Sequence, residues 1–261
     1  MDDTDRGAAA RAESRGRRTL RYAVGGVALA ALIVAAGAAV LVGTGQGNGG
    51  GPSPAHVTDS SPPSPAPPPT AAGSALPAAD AAWLQRVSGA ADIPERALRA
   101  YAMAALTLAD EQPGCRLGWN MLAGIGKIES EHGSIDGARL LPSGETTPRI
   151  IGVPLDGTDF LATPDTDGGA IDGDAQWDRA VGPMQFIPST WDVFGRDGNG
   201  DGRIEIDQID DAALSAAALL CDPGLDLTVG EHWIAALDGY NPSASYNNDV
   251  ADAAEYYAQF G

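Results

Sequence analysis

The sequence predicts a mainly α domain carrying a long loop with a short hairpin, preceded by one transmembrane helix and a disordered linker. Three observations predict it. Beyond residue 92, apolar residues recur at helical spacing in several runs, and few runs alternate as strands do. Residues 22–43 contain no charged side chain. Composition also changes sharply near residues 43 and 78, dividing the chain into a tail (1–21), a span (22–43), a linker (44–78) and a folded domain (79–261).

The tail holds Arg6, Arg11, Arg15, Arg17, Arg18 and Arg21 against Asp2, Asp3, Asp5 and Glu13. An uncharged run of about 20 residues suffices to cross a bilayer. Arginines crowd only its N-terminal side, which places the tail in the cytoplasm and everything after residue 43 outside. A cleaved signal peptide is the alternative, but its apolar core is usually shorter, about 7–15 residues. Residues 44–78 are mostly Gly, Ser, Pro, Ala and Thr, a composition that cannot bury a core. Such a segment acts as a spacer, flexible where Gly-rich and extended where Pro-rich.

The folded domain is punctuated by helix signals. Asp92 and Pro94 open a helix over 95–111, and Pro113-Gly114 breaks it. A second helix is expected over 119–132, stopped by Gly133. Residues 134–180 are rich in Gly, Asp, Thr and Pro with little periodicity, so a loop with a short hairpin is expected there. Helical patterns return at 188–194, 210–221, 230–238 and 247–259, without an internal repeat.

The net charge is −19, and the tail sums to +2, so the remainder carries −21. Nucleic-acid binding needs clustered Lys and Arg, so this balance argues against it. A neutral or cationic substrate, or divalent cations, fits better.

Four segments carry candidate chemistry. In the expected helix 119–132, Leu122, Ile125 and Glu129 follow i, i+3, i+7, which places a carboxyl on an apolar face. Glu131 points largely away. Burial and the helix C-terminus both favour the protonated acid, the form a general acid needs. A plain amphipathic helix with a surface glutamate pair would show the same spacing. In Gly182-Pro183-Met184-Gln185-Phe186, Gln185 is a polar group among apolar ones, able to hydrogen-bond an amide or hydroxyl, or else a satisfied buried glutamine. Ser189 or Thr190 is a candidate cap for the helix that follows.

Asp197, Asn199, Asp201 and Gly202 match positions 1, 3, 5 and 6 of a calcium loop, with Arg203 offering its carbonyl. Gln208 stands at position 12 in place of a bidentate Glu, which predicts weaker binding; a metal-free turn is the alternative. Asp165, Asp167, Asp172 and Asp174 form a second acidic cluster with no known loop spacing. Last, Tyr240-Asn241-Pro242-Ser243 lies close before Tyr246. A tyrosine here can pack on a pyranose face while its hydroxyl reaches a carboxyl.

Read together, GIGKIESEHG (124–133), DGDAQWDRAVGPMQFIPSTW (172–191), DGNGDG (197–202), DDAALSAAALLC (210–221) and ALDGYNPSASY (236–246) resemble lytic murein transglycosylases. The nearest branch is the membrane-bound B-type family of the soluble-lytic-transglycosylase superfamily, as found in actinobacteria. The resemblance implies a lysozyme-like domain that cleaves peptidoglycan glycan strands. It implies Glu129 as the sole catalytic carboxyl, with Ser130, Gln185, Phe186, Tyr240, Asn241 and Tyr246 lining the saccharide site. It further implies 1,6-anhydro ends formed without a cofactor, and a calcium loop in some members. A lysozyme-like hydrolase or a silent wall-binding module on the same scaffold would share these segments. Outside the cytoplasm the compartment is oxidising, so a Cys115–Cys221 disulfide is expected, with two buried thiols as the alternative.

Overall fold

The computed structural model describes residues 79–158 and 161–261. The tail, span and linker expected at 1–21, 22–43 and 44–78 lie outside the described residues. Among the described residues no helix is long and apolar enough to cross a membrane.

Seven helices and four short strands occur among the described residues. The first helix, α1 (Ala81–Ala91), lies ahead of the first expected one. The Asp80 carboxylate accepts the Trp83 N–H at 2.7 Å and starts it, and Trp83, Leu84, Val87 and Ala91 form its buried face. Asp92 ends α1 in the left-handed conformation and does not cap the next helix; Pro94 takes that position. Helix α2 (Glu95–Glu111) then runs as expected.

Helix α3 (Trp119–Ser130) stops two residues earlier than expected. Glu131, His132 and Gly133 all have positive φ (50°, 61° and 84°), and the His132 N–H returns to the Gly126 carbonyl at 2.8 Å. Helix α4 (Pro188–Phe194) has Pro188 in its first turn and Ile187 at the cap. Ser189 and Thr190 therefore lie inside the helix and do not cap it, because proline leaves one fewer N–H to satisfy. Helices α5 (Ile209–Cys221), α6 (Gly230–Tyr240) and α7 (Ala244–Ala258) complete the domain. Ser243 caps α7, which begins three residues before its expected start.

Helix α3 packs against α2, α5 and α7. Close approach to α7 requires Gly124, where a Cβ would stand 2.9 Å from the Val250 carbonyl oxygen. Trp83, Leu98, Tyr101, Trp119, Leu122, Ile125, Ile209 and Leu220 fill the core. The expected disulfide is present: Cys115 and Cys221, 106 residues apart, join the segment before α3 to the end of α5.

The segment 134–180 forms two small antiparallel sheets in place of one hairpin. Strand β1 (Arg139–Leu140) pairs with β2 (Thr146–Thr147), and β3 (Ile151–Pro154) with β4 (Arg179–Val181). Arg96 of α2 anchors the β1–β2 turn through the Ser143 carbonyl at 3.2 Å and the Asp210 carboxylate. Aspartates organise the excursion between β3 and β4. Asp165 accepts the N–H groups of Asp167, Gly168 and Gly169, and Asp172 accepts those of Asp174 and Arg179.

Candidate active site

Glu129 sits in the last turn of α3 with its backbone between buried Ile125 and buried Ser130. Its side chain is half-buried, and the Tyr246 hydroxyl donates to Oε1 at 2.6 Å. Burial pushes the carboxyl up to about 7, and the hydrogen bond from Tyr246 pulls the other way. The group is thus a mixture of acid and carboxylate near neutral pH, which suits a residue that must give a proton and then take one. Tyr246 cannot compete for that role. Burial first, and the nearby Glu129 charge second, hold its hydroxyl far above the ordinary tyrosine range.

The ring of Tyr240 stacks on that of Tyr246, with centroids 6.5 Å apart and planes 7° from parallel. Its hydroxyl donates to the Met184 carbonyl at 2.6 Å, and the Glu129 charge adds to the upward shift that burial gives it. Of the two tyrosines, Tyr246 is the one that touches the acid.

A tight loop faces these groups. Val181 and Phe186 exchange two backbone hydrogen bonds, at 2.8 and 3.0 Å, so residues 182–185 form a closed loop between them, with Met184 buried. Gly182 (φ 80°) is required there, since a Cβ would lie 2.1 Å from the Ile206 carbonyl oxygen. Ser130 Oγ donates to the Pro183 carbonyl at 2.6 Å and accepts the Gly133 N–H at 2.8 Å. Through Ser130 and Tyr240 the loop is tied to α3 and to α6. Gln185, at its tip, has a left-handed backbone (φ 48°) that is uncommon for a residue with a side chain. Its amide nitrogen donates to the Gly182 carbonyl at 2.9 Å, and its amide oxygen lies beside Gly152. Gly152 was not singled out from the sequence. A Cβ there would press on that oxygen at 3.2 Å.

Of the expected saccharide-lining residues, Ser130 and Phe186 support the site from within, and Asn241 lies half-buried just past α6. Ser130 is fully buried and acts as a strut between α3 and the loop. Phe186 is 3% exposed and packs edge-on against Trp191 and Tyr240, supporting the tyrosine stack from behind. Asn241 closes α6, where its N–H meets the Leu237 carbonyl at 2.7 Å, and no side-chain hydrogen bond joins it to the site among the described residues. Each was a short motif neighbour of a site residue, and position alone could not separate strut from contact.

The calcium-type loop is built as expected at its start. Asp197 accepts the N–H groups of Gly200, Asp201 and Gly202, and Asn199 Oδ1 accepts that of Asp201 at 2.8 Å. Gln208 is not its closing ligand. It is 2% exposed and faces α5, where its amide oxygen caps the N–H groups of Asp210 and Asp211. Asp211 takes the closing place, accepting the Gly198 and Glu205 N–H groups at 2.8 Å each from a position 1% exposed. Burial raises its carboxyl, and the negative Asp197 adds to that. Asp197, Asn199, Asp201, the Arg203 carbonyl and Asp211 offer oxygen, the donor a hard cation such as calcium takes, but the carboxylates of Asp197, Asp201 and Asp211 do not all come within 4.8 Å of one another. In the second acidic cluster, Asp165 and Asp167 are joined by Asp178 and not by Asp172 or Asp174, with ligand oxygens within 4.8 Å of one another.

Residues 167–234 match the family described as Transglycosylase SLT domain. That segment contains the Gln185 loop, the calcium-type loop and α5, while Glu129 and Tyr246 lie outside it. The match covers 68 of the 261 residues, and over that segment the chain is similar to the family. The structure of the Escherichia coli lytic transglycosylase Slt35 in complex with bulgecin A is similar at 16% identity, over 68% of this chain and 78% of that one. Its TM-score is 0.37, and at that value the likeness decides nothing about fold or chemistry. The comparison with curated proteins returned no match.

Proposed function

We propose that the protein cleaves the β-1,4 bond between N-acetylmuramic acid and N-acetylglucosamine in peptidoglycan, with Glu129 as its one catalytic carboxyl and 1,6-anhydro ends as its product. The carrying observation is the Glu129 carboxyl, raised to about 7 by burial and held at 2.6 Å by Tyr246, beside a loop that presents Gln185. The shift is set by burial and by Tyr246. A single raised carboxyl supports a substrate-assisted route in place of the paired-carboxylate one.

In that route Glu129 gives its proton to the glycosidic oxygen as the C1–O bond breaks. The 2-acetamido oxygen of the muramyl residue stabilises the cationic carbon. Glu129, now a carboxylate, takes the proton of the muramyl 6-hydroxyl, whose oxygen attacks C1 and closes the anhydro ring. The hydroxyl belongs to the same sugar, so its effective concentration far exceeds that of water. Tyr246 keeps the carboxyl aimed through both proton transfers.

The uncharged run 22–43 and the arginines before it support a single membrane anchor, with the catalytic domain on the wall side and residues 44–78 as the spacer. The oxygen set around Asp197 and Asp211 supports a structural calcium ion that takes no part in catalysis.

Digestion of purified peptidoglycan tests the chemistry. Wild-type protein should release 1,6-anhydromuropeptides, one water lighter than hydrolysis products, and Glu129→Gln should lose nearly all turnover. Reducing-end products would make the enzyme a hydrolase. Undiminished cleavage by Glu129→Gln would move the acid elsewhere. Calcium should raise the melting temperature of the wild type, and Asp211→Asn should abolish that rise.

A further inference from the structure

His132 is buried at 3% exposure, two residues past the end of α3, and the chemistry above does not use it. Both of its ring nitrogens are engaged. Nδ1 lies 3.1 Å from the Tyr101 hydroxyl of α2, and Nε2 lies 2.9 Å from the Tyr257 hydroxyl of α7. Tyr101 reaches it only because residue 126 of α3 is glycine, where a Cβ would fall 2.0 Å from the tyrosine oxygen. The His132 main-chain N–H closes α3 onto the Gly126 carbonyl.

Helix α7 therefore meets the end of α3 at two points. Tyr246 touches Glu129, and Tyr257, about three turns further along the same face, touches His132. We infer that His132 is a positioning residue for Glu129, its ring held between Tyr101 and Tyr257 so that the last turn of α3 keeps the acid fixed against Tyr246. This rests on the reading of Glu129 as the acid.

The device works with a neutral ring. A neutral imidazole has one N–H and one lone pair, so it accepts from one tyrosine and donates to the other. A charged ring would have two donors and leave one tyrosine without an acceptor. Burial drives His132 down to about 3, with the Lys127 charge adding to the effect, so it stays neutral wherever the enzyme works. Tyr101 and Tyr257 beside it are both shifted upward by burial and both neutral in that range, and Asp92, Lys127 and Glu131 line the same cavity. Around Glu129 they are Tyr246 and Tyr240, held neutral for the same reason.

The test is a carboxyl titration of Glu129 by NMR in the full chain with 13C-labelled glutamate, its signal assigned by its loss in Glu129→Gln. Tyr257→Phe keeps its ring and leaves His132 bonded to Tyr101; His132→Phe removes both bonds while keeping an aromatic ring. Each should let the end of α3 shift and water reach Glu129. The carboxyl should then titrate lower than in wild type, by about one pH unit in His132→Phe. On purified peptidoglycan, kcat should fall about 10- to 100-fold with KM unchanged, as expected for a misplaced group.

Folded variants that titrate Glu129 at the wild-type pH and keep wild-type kcat overturn the inference, even if they melt earlier. Should His132→Phe fail to fold, the Tyr257→Phe titration decides alone. Should the wild type cleave no glycan, the proposed function fails, while the titration still reads the effect of His132 on Glu129.

Discussion

Glu129 is the residue at which stability and activity oppose each other. Its carboxyl holds a proton in the folded state up to about 7, against an ordinary value of 4.5. Between those values the folded chain binds a proton that the unfolded chain has released, so stability falls as pH rises. The contribution is complete below about 4.5 and is lost as pH passes 7, on the order of 3 kcal/mol in all. Glu129→Gln should erase that slope. Melting curves at pH 4 and pH 8 should show the variant matching wild type at the lower pH and melting several degrees higher at the upper one. Tyr246→Phe should act in the other direction on the acid itself. It removes the hydrogen bond that lowers the carboxyl, so the alkaline limb of the pH–rate profile should move to higher pH. The apolar face of Glu129 was legible in the sequence, because Leu122 and Ile125 precede it at helical spacing. Its bond to Tyr246 spans 117 residues, and spacing alone suggested only that a tyrosine of that segment reaches a carboxyl.

At the scale of elements, caps and glycines decide where helices end and how closely they pack. Gln208 shows how a motif can mislead. It occupies the last position of a calcium pattern, yet its side chain satisfies the first N–H groups of α5, and Asp211 turns back into the loop. Gln208→Ala should therefore cost about 1 kcal/mol in urea denaturation, as lost caps do, while leaving any calcium-induced rise in melting temperature intact. The Gly126 contact gives a second expectation. Gly126→Ala would drive a methyl into the Tyr101 hydroxyl, and overpacking of that kind costs about 1–3 kcal/mol, read as an earlier urea midpoint. Neither contact was visible in the sequence, because helical periodicity reports which face is buried and not what lies opposite. Helix α1 carries an ordinary helix signal in its Asp80 cap and its Trp83, Leu84, Val87 face, but it begins directly after the linker composition ends. The early end of α3 was hidden for a physical reason, since Glu131 and His132 adopt a backbone conformation that their side chains do not advertise.

Across the whole molecule, the Cys115–Cys221 bond closes the stretch of chain that carries the acid and the loops beside it. Cys115 precedes α3 and Cys221 ends α5, so the loop it closes contains Glu129, both small sheets, the Gln185 loop and the calcium-type loop. Helices α6 and α7, which supply Tyr240 and Tyr246, lie beyond it and reach the site by packing on the closed unit. Both cysteines are buried, at 3% and 0% exposure, so reductants should reach the bond slowly while the domain is folded. Closing a loop of this size restricts the unfolded chain, which corresponds to about 4–5 kcal/mol in the chain-entropy model and less if the unfolded state keeps structure. Replacing both residues, Cys115→Ala with Cys221→Ala, should therefore lower the urea midpoint and steepen the transition, because the unlinked chain exposes more surface. The contacts at Glu129 do not involve either cysteine. Cleavage of peptidoglycan at 25 °C should survive in the double variant wherever it remains folded, with loss appearing only as the melting range is approached. If activity instead vanished while circular dichroism still reported a folded domain, the bond would be setting the geometry of the site and not merely the stability of the chain that carries it.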